Sequence, residues 1–335
     1  MISPGYSFWI LLFPDIAKPI GGVKQLHRVC EILLSLGFDC HLVQEDPSFH
    51  PEWFDSNVKT VSRKSWLSRH DLNPNVDIIV IPETFLPAID SFHPLIKKII
   101  FNQNSSYTFG LPGHHCDVNK TELYYLHPHV IQVWCISSHD HQFIANTLRA
   151  STTKPHRIIN ALTSVDSLSH SVPKKKQICF MPRKNSRDAE IVTSLLASQK
   201  VLDTWRVVAI DKCAHSDVLK TFEKSLIYLS FGHPEGFGLP VAEAMACGCA
   251  VVGYTGLGGR ELFRIKSSAR INHEVEFGDW FGFVQGVLLI NSRLKNNPDL
   301  FLSQLAFHAM KIKSLYSTYN MTSSIANAIN DIKLV

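Results

Sequence analysis

Of the 335 residues, no run is apolar enough for the roughly 20 consecutive positions that span a bilayer. The eight cysteines include no C-x-x-C pair, and only Cys247 and Cys249 stand close together. That argues against a zinc ribbon or a thioredoxin-like redox centre and fits reduced, buried thiols. Charged residues make up 19% of the chain, and no basic stripe carries interleaved aromatics, so nucleic acid is not an expected partner. Fixed-period repeats and low-complexity tracts are missing, which excludes solenoids and tails. The opening MISPGYSFWILLF lacks a basic leader and a small-residue cleavage site, so it reads as a buried first strand. A cytoplasmic location is expected. No strongly basic amphipathic helix occurs early in the chain, so any membrane contact would be peripheral, at the inner face.

The composition that remains, 45% hydrophobic, suits a globular chain long enough for two cores. Short apolar runs alternate with amphipathic segments: FWILLF (8–13), VKQLHRVCEILLSLG (23–37), DCHLVQ (39–44), VDIIVIP (76–82), KKIIFN (97–102) and VIQVWCISS (130–138). Such alternation predicts a parallel sheet with helices on both faces. Segments 45–75 and 103–128 read as loops. A Ser/Pro/Lys-rich linker follows RIIN, within 154–176. A second series runs QICFMP (177–182), a helix at 188–199, WRVVAI (205–210), SLIYLSF (225–231), a helix after Gly238 and CAVVGY (249–254), with helical sequence from about 278. The second half is also the anion-attracting one: 161–335 holds 20 Lys+Arg against 15 Asp+Glu, whereas 1–160 holds 13 against 14. Expected domains are 1–160, 161–315 and a C-terminal helix, 316–335, packing back on the first.

Candidate chemistry concentrates in HPEGFGLPVAEAMACG, 233–248. Pro240 suits a first helical turn and Gly248 a helix stop, which places a helix at about 239–247. Its free amides would face the Gly236-Phe237-Gly238 loop, after an apolar strand, and together these make an anion cradle. Gly21-Gly22 precede the first helix and permit close approach to a ligand, or form an ordinary loop. His114-His115-Cys116-Asp117 and His127-Pro128-His129 raise a metal, but adjacent histidines diverge and none is expected. Gly256-Leu257-Gly258-Gly259 only faintly echoes a dinucleotide fingerprint.

E-G-F-G-L-P-V-A-E-A-M-A-C-G, followed by CAVVGY and Gly-Gly, resembles the Glu-x7-Glu signature of retaining, nucleotide-sugar-dependent glycosyltransferases of the GT-B fold, family 4 in particular. GGVKQLHRVCEILLSLGFDCHLV resembles that family's first loop and helix, PHRIINALTSVD its inter-domain segment, and CFMPRKNSRD its strand ending in Arg and Lys. The resemblance implies an α/β architecture of two Rossmann-like, doubly wound domains facing a cleft. The first domain would be the acceptor side and the second the donor side. It implies a nucleotide diphosphate sugar as donor, a glycan or lipid-linked acceptor, and neither metal nor cofactor. Catalytic candidates by this carry-over are Arg183, Glu235, and either Lys184 or Arg187, since the family's lysine spacing is not kept. Donor-binding candidates are Gly21, Gly22, Gly236, Phe237, Gly238, Leu239, Glu243 and Glu261. Glu235 would take sugar hydroxyls and Glu243 the ribose. A family histidine in the first domain is replaced by Asn102, Gln103 and Asn104, which would face the sugar and acceptor. His139 and His141 are further substitutes, though a surface or core role suits them better. The alternative is a glycosyltransferase-like binding or scaffold subunit without turnover, and a nicotinamide-dependent oxidoreductase is a more distant one.

Overall fold

The structure, a computed structural model, describes residues 5–12, 15, 17, 19–110, 117–148, 155–165, 172–266 and 271–332, with Val201 described by its main chain alone. The chain divides into two compact units. The first comprises Met1–Ala161 with Thr318–Val335, and the second Leu162–Ser317.

The first unit runs β1 (Ser7–Leu11), α1 (Gly21–Ser35), β2 (Asp39–Gln44), β3 (Thr60–Ser62), α2 (Arg63–Leu67), β4 (Asp77–Pro82), a 3-10 segment Glu83–Ser91, β5 (Lys97–Asn102), α3 (Val118–Tyr125), β6 (Val130–Cys135), α4 (Ser138–Thr147) and β7 (Pro155–Arg157). Its seven strands are all parallel, in the order β3-β2-β1-β4-β5-β6-β7. The order reverses between β1 and β4, which opens a crevice at their carboxyl ends. Strand β4 is buried at every position. Helices cover both faces of the sheet, which is why DIIVIP is continuously apolar rather than alternating.

The second unit runs β8 (Lys175–Phe180), α5 (Ser186–Ala197), β9 (Arg206–Ala209), α6 (His215–Lys224), β10 (Ser225–Ser230), α7 (Leu239–Ala246), β11 (Ala250–Gly253), α8 (Arg260–Phe263), β12 (His273–Glu274), α9 (Trp280–Asn296) and α10 (Pro298–Leu315). Its parallel sheet is ordered β12-β11-β10-β8-β9, with the reversal between β8 and β10. Ile178, Ile227, Val252, Phe231 and Phe283 lie in its core. The chain then returns to the first unit as α11 (Thr318–Asn330). There the Gln132 side-chain amide donates to Ala328 O at 2.6 Å, and Ser324 Oγ accepts from Ile159 N at 3.1 Å. Among the described residues, no helix is long and apolar enough to cross a membrane.

The strands stand within about two residues of where periodicity puts them. Three differences have local causes. Segments 45–75 and 103–128, expected as loops, hold β3 with α2 and then α3, each too short to show a period. Ser137 and Ser138, expected in the strand at 130–138, instead cap and open α4, where Ser137 Oγ accepts from Asp140 N. Gly21 and Gly22, expected before the helix, are its first two residues, because a helix's first amides need no intrahelical partner and glycine is tolerated there. Part of the expected linker, 166–171, lies outside the described residues, as do His114, His115 and Cys116.

A buried carboxylate shapes the first sheet's carboxyl edge. Glu83, just after β4, accepts the amides of Gln103 and Asn104, each at 3.0 Å. Burial pushes its carboxyl up to about 8, although those amides pull the other way. A carboxyl whose pKa is raised on folding stabilises fully below its unfolded value and loses that contribution as pH rises through the folded one. Stability of the first unit is therefore expected to fall between about pH 4.5 and pH 8. Glu83→Gln leaves one amide without an acceptor and lowers stability at pH 5. Thermal melts should show the variant losing less than the parent from pH 5 to pH 9, whereas parallel losses would contradict this assignment.

Candidate active site

The reversal point of the second sheet collects most of the candidate residues of that unit. Strand β8 leads into Arg183-Lys184-Asn185, and β10 leads into His233-Pro234-Glu235. Lys184 Nζ lies 2.7 Å from Glu235 Oε1 and reaches Pro234 O at 3.5 Å. Asn185 ties the two loops together. It takes a left-handed conformation, φ 51°, which a short polar side chain tolerates. From there its amide donates to Phe231 O at 2.7 Å and His233 O at 3.1 Å. Arg183 is exposed beside the pair, while Arg187 is exposed on the first turn of α5, with no ion pair among the described residues. The cation brought to Glu235 is thus Lys184.

The loop 235–238 is fixed by main chain packed on main chain. Glu235 N donates to Gly256 O at 2.7 Å, and Gly258 N donates to Glu235 O at 3.1 Å. Side chains at three glycines would break this arrangement. A Cβ on Gly256 would come 2.6 Å from Glu235 Cβ, one on Gly258 would collide with Gly236 O, and one on Gly259 would meet Thr255 O at 2.5 Å. Gly256-Leu257-Gly258-Gly259 is therefore the floor of the motif loop. Gly238 then turns at φ 85° into α7, with Pro240 in the first turn. Among the described residues, the amides of Gly236, Phe237, Gly238 and Leu239 donate to no protein acceptor. Four such amides, the last of them on the first residue of a helix, create a positive concavity suited to phosphate oxygens.

The remaining candidates have distinct places. Glu243, buried on α7, accepts from His215 Nε2 at 3.0 Å, and His215 is the first residue of α6. The Phe237 ring is buried edge-on against Tyr316, centroids 5.1 Å apart, so its side chain serves the core and only its amide faces the loop. The Tyr316 hydroxyl donates to Glu261 Oε1 at 3.1 Å, which holds that carboxylate toward the end of α10. His233 stacks on Phe277 at 4.4 Å. Burial lowers the imidazole's proton affinity, and the nearby Arg260 guanidinium lowers it further.

Gly21, Gly22, Asn102, Gln103 and Asn104 belong to the first unit. Asn102 is fully buried, its Oδ1 accepting from Tyr125 Oη at 2.7 Å and Thr108 Oγ1 at 3.2 Å. Asn104 Oδ1 accepts from Ser106 N, capping the next turn. Only Gln103 of the three extends across the start of α1, its Nε2 3.4 Å from Gly22 O, and a Cβ on Gly22 would collide with its Oε1. His127 pairs with Asp90 at 3.1 Å, and His141 Nε2 lies 3.0 Å from Pro155 O. Among the described residues, no three His, Cys, Asp or Glu side chains converge as a metal site.

Sequence reasoning missed His215, Asn185, Arg260 and Tyr316. Asn185 carried a faint signal as an asparagine at a strand-to-helix turn, whereas the others act through contacts far along the chain.

With this geometry in hand, the comparisons are specific. Residues 198–271 match the family model "Glycosyl transferases group 1", which spans the motif loop, α7 and the glycine floor. An alpha-1,6-glucosyltransferase of Actinobacillus pleuropneumoniae serotype 7 is 27% identical over 217 residues, covering 62% of this chain and 59% of that protein. The match thus spans under two thirds of that relative's length. Among solved structures, TarM aligns over 98% of this chain and 99% of its own, with TM-score 0.70 and 11% identity. Sucrose-phosphate synthase from Thermosynechococcus elongatus aligns over 97% and 98%, at 0.67 and 10%. The pneumococcal O-GlcNAc transferase GtfA, solved with UDP and GlcNAc, aligns over 98% and 99%, at 0.66 and 8%. The fold is GT-B.

Because Gly258 abuts Gly236 main chain, Gly258→Ala should cost about 2 kcal/mol and lower the melting temperature by roughly 5 °C. A melt indistinguishable from the parent would show that the two loops are not packed this way.

Proposed function

We propose that this GT-B chain, with a group 1 glycosyl transferase segment in its second unit, is a retaining, metal-independent glycosyltransferase using a nucleoside diphosphate sugar. One observation carries this reading: Lys184 is held at 2.7 Å on Glu235, next to four consecutive amides that donate to no protein acceptor. The similarity to a glucosyltransferase, and to a transferase solved with UDP and GlcNAc, supports the donor class.

Roles follow from charge. When the bond between sugar C1 and the phosphate oxygen breaks, negative charge grows on the leaving diphosphate. Lys184, Arg183 and the amides of 236–239 stabilise that charge from fixed positions, so little reorganisation is needed. Glu235 accepts hydroxyls of the transferred sugar, and the contact with Lys184 holds it in place. Glu243 accepts the ribose hydroxyls, and Glu261, anchored by Tyr316, borders the donor. The acceptor oxygen bonds to C1 on the face the diphosphate leaves, and its proton passes to the departing phosphate oxygen. No second carboxylate is required as base. The acceptor is a hydroxyl of a glycan or lipid-linked glycan. The enzyme works in the cytoplasm.

The test is release of nucleoside diphosphate from a panel of nucleotide sugars. One donor should turn over equally well with and without EDTA, and the product should keep the donor's anomeric configuration by NMR. Lys184→Ala should cut kcat by about 100-fold. Glu243→Ala should chiefly raise KM for the donor. No binding of any nucleotide sugar, with variants matching the parent, would overturn the assignment. Loss of activity in EDTA would remove the metal-independent element, and an inverted product the retaining one.

A further inference from the structure

Phe277 is exposed at a place where the fold has no need of an aromatic ring. It stands second in a turn, 276–279, that follows β12 and is closed by Asp279 N donating to Glu276 O at 3.0 Å. Gly278, third in that turn, has φ 88°, a conformation that favours glycine. The turn is anchored from beneath. Gly278 N donates to the hydroxyl of buried Tyr254 at 3.1 Å, and that hydroxyl donates to Asp188 Oδ2 at 2.8 Å. Trp280 Nε1 donates to Asp188 Oδ1 at 3.1 Å, and Asp279 Oδ1 accepts from Gly282 N to cap α9. None of these contacts uses the Phe277 side chain. Its ring lies against His233, centroids 4.4 Å apart and planes 20° from parallel, with Tyr254 edge-on at 5.2 Å. Phe277 is nonetheless 58% exposed, so the ring face turned away from His233 is open. A fixed turn thus presents one bare aromatic face on the carboxyl edge of the second sheet.

We propose that Phe277, backed by His233, is a stacking platform for a pyranose ring of the acceptor glycan. The platform rests on the proposed function, whose donor it presupposes. There the donor's parts have their own seats: the diphosphate on the amides of 236–239, the transferred sugar on Glu235, the ribose on Glu243. Phe277 is at none of these. It lies toward edge strand β12, two strand spacings or about 10 Å from β10. His233 joins it to Glu235, two residues along the chain. The other ring that must approach the transferred sugar is the acceptor's, because its hydroxyl attacks C1. The chemistry suits such a ring, which offers a flat face of C–H groups and a rim of hydroxyls. An aromatic face covers the first, and the exposed carboxylate of neighbouring Glu276 can accept from the second. Free and lipid-linked glycans share this ring.

The test follows nucleoside diphosphate release from the donor that turns over, alone and with malto-, isomalto-, cello- and chito-oligosaccharides as acceptor probes. At least one probe should accelerate release by the parent. Phe277→Ala should raise KM for that probe about tenfold, while kcat and the donor's KM move less than about twofold. Phe277→Tyr keeps the flat ring and should hold the parent's KM. Phe277→Leu keeps only apolar bulk and should behave as the alanine variant does. Thermal melts of the three report folding, and the comparison of tyrosine with leucine carries the test if alanine loosens the turn. An alanine variant with the parent's KM for the probe, or a leucine variant matching the tyrosine one, would overturn the proposal. An equal rise in the donor's KM would also overturn it, by seating the donor's own sugar on the ring. A parent that releases nucleoside diphosphate into water but responds to no probe would overturn the platform and leave the donor assignment intact. A parent that turns over no nucleotide sugar would overturn both.

Discussion

The second unit depends on a contact between two stretches of main chain. Gly256–Gly259 lies directly on Glu235–Gly238, joined by hydrogen bonds of 2.7 and 3.1 Å, with no room for side chains between them. That contact immobilises a loop whose own amides are left without protein acceptors. Unsatisfied amides next to the core are a cost, and the cost is consistent with a site waiting for anionic oxygens. The glycines that looked like a weak dinucleotide fingerprint thus have another use: their missing side chains let one loop seat another.

The surrounding groups refine what the amides begin. Asn185 clamps the β8 loop to the β10 loop, and this clamp rather than sequence spacing delivers Lys184 to Glu235. The family pattern left Lys184 and Arg187 as equal heirs to one role. The two differ because residue 184 precedes the left-handed turn and residue 187 lies beyond it, on an exposed helical face. In the first unit a similar principle holds with different chemistry. Buried Glu83 fixes Gln103 and Asn104 by their amides, leaving Gln103 extended over the start of α1.

Much of the architecture was legible because buried parallel strands write themselves as continuous apolar runs, as in DIIVIP and SLIYLSF. Helix α7 was legible from Pro240 and Gly248, whose backbone preferences punctuate it. The short elements were not: β3, α2 and α3 carry too few residues to show a period and are held by tertiary contacts. At the site, the motif named residues but not their directions. It marked Phe237 through its amide, and gave no sign that the ring packs on Tyr316. It marked Asn102, whose side chain is buried and taken by Tyr125 and Thr108. His215, twenty-eight residues from Glu243, could not be read from spacing, because its meaning lies in the side-by-side packing of two parallel helices.

The central claim is that the loop before α7 is a diphosphate seat. A crystal structure of the chain with a bound nucleoside diphosphate tests it most directly. The account predicts phosphate oxygens within hydrogen-bonding distance of the amides of 236–239 and of Lys184 Nζ. A diphosphate bound elsewhere, with those amides turned to solvent, would contradict it.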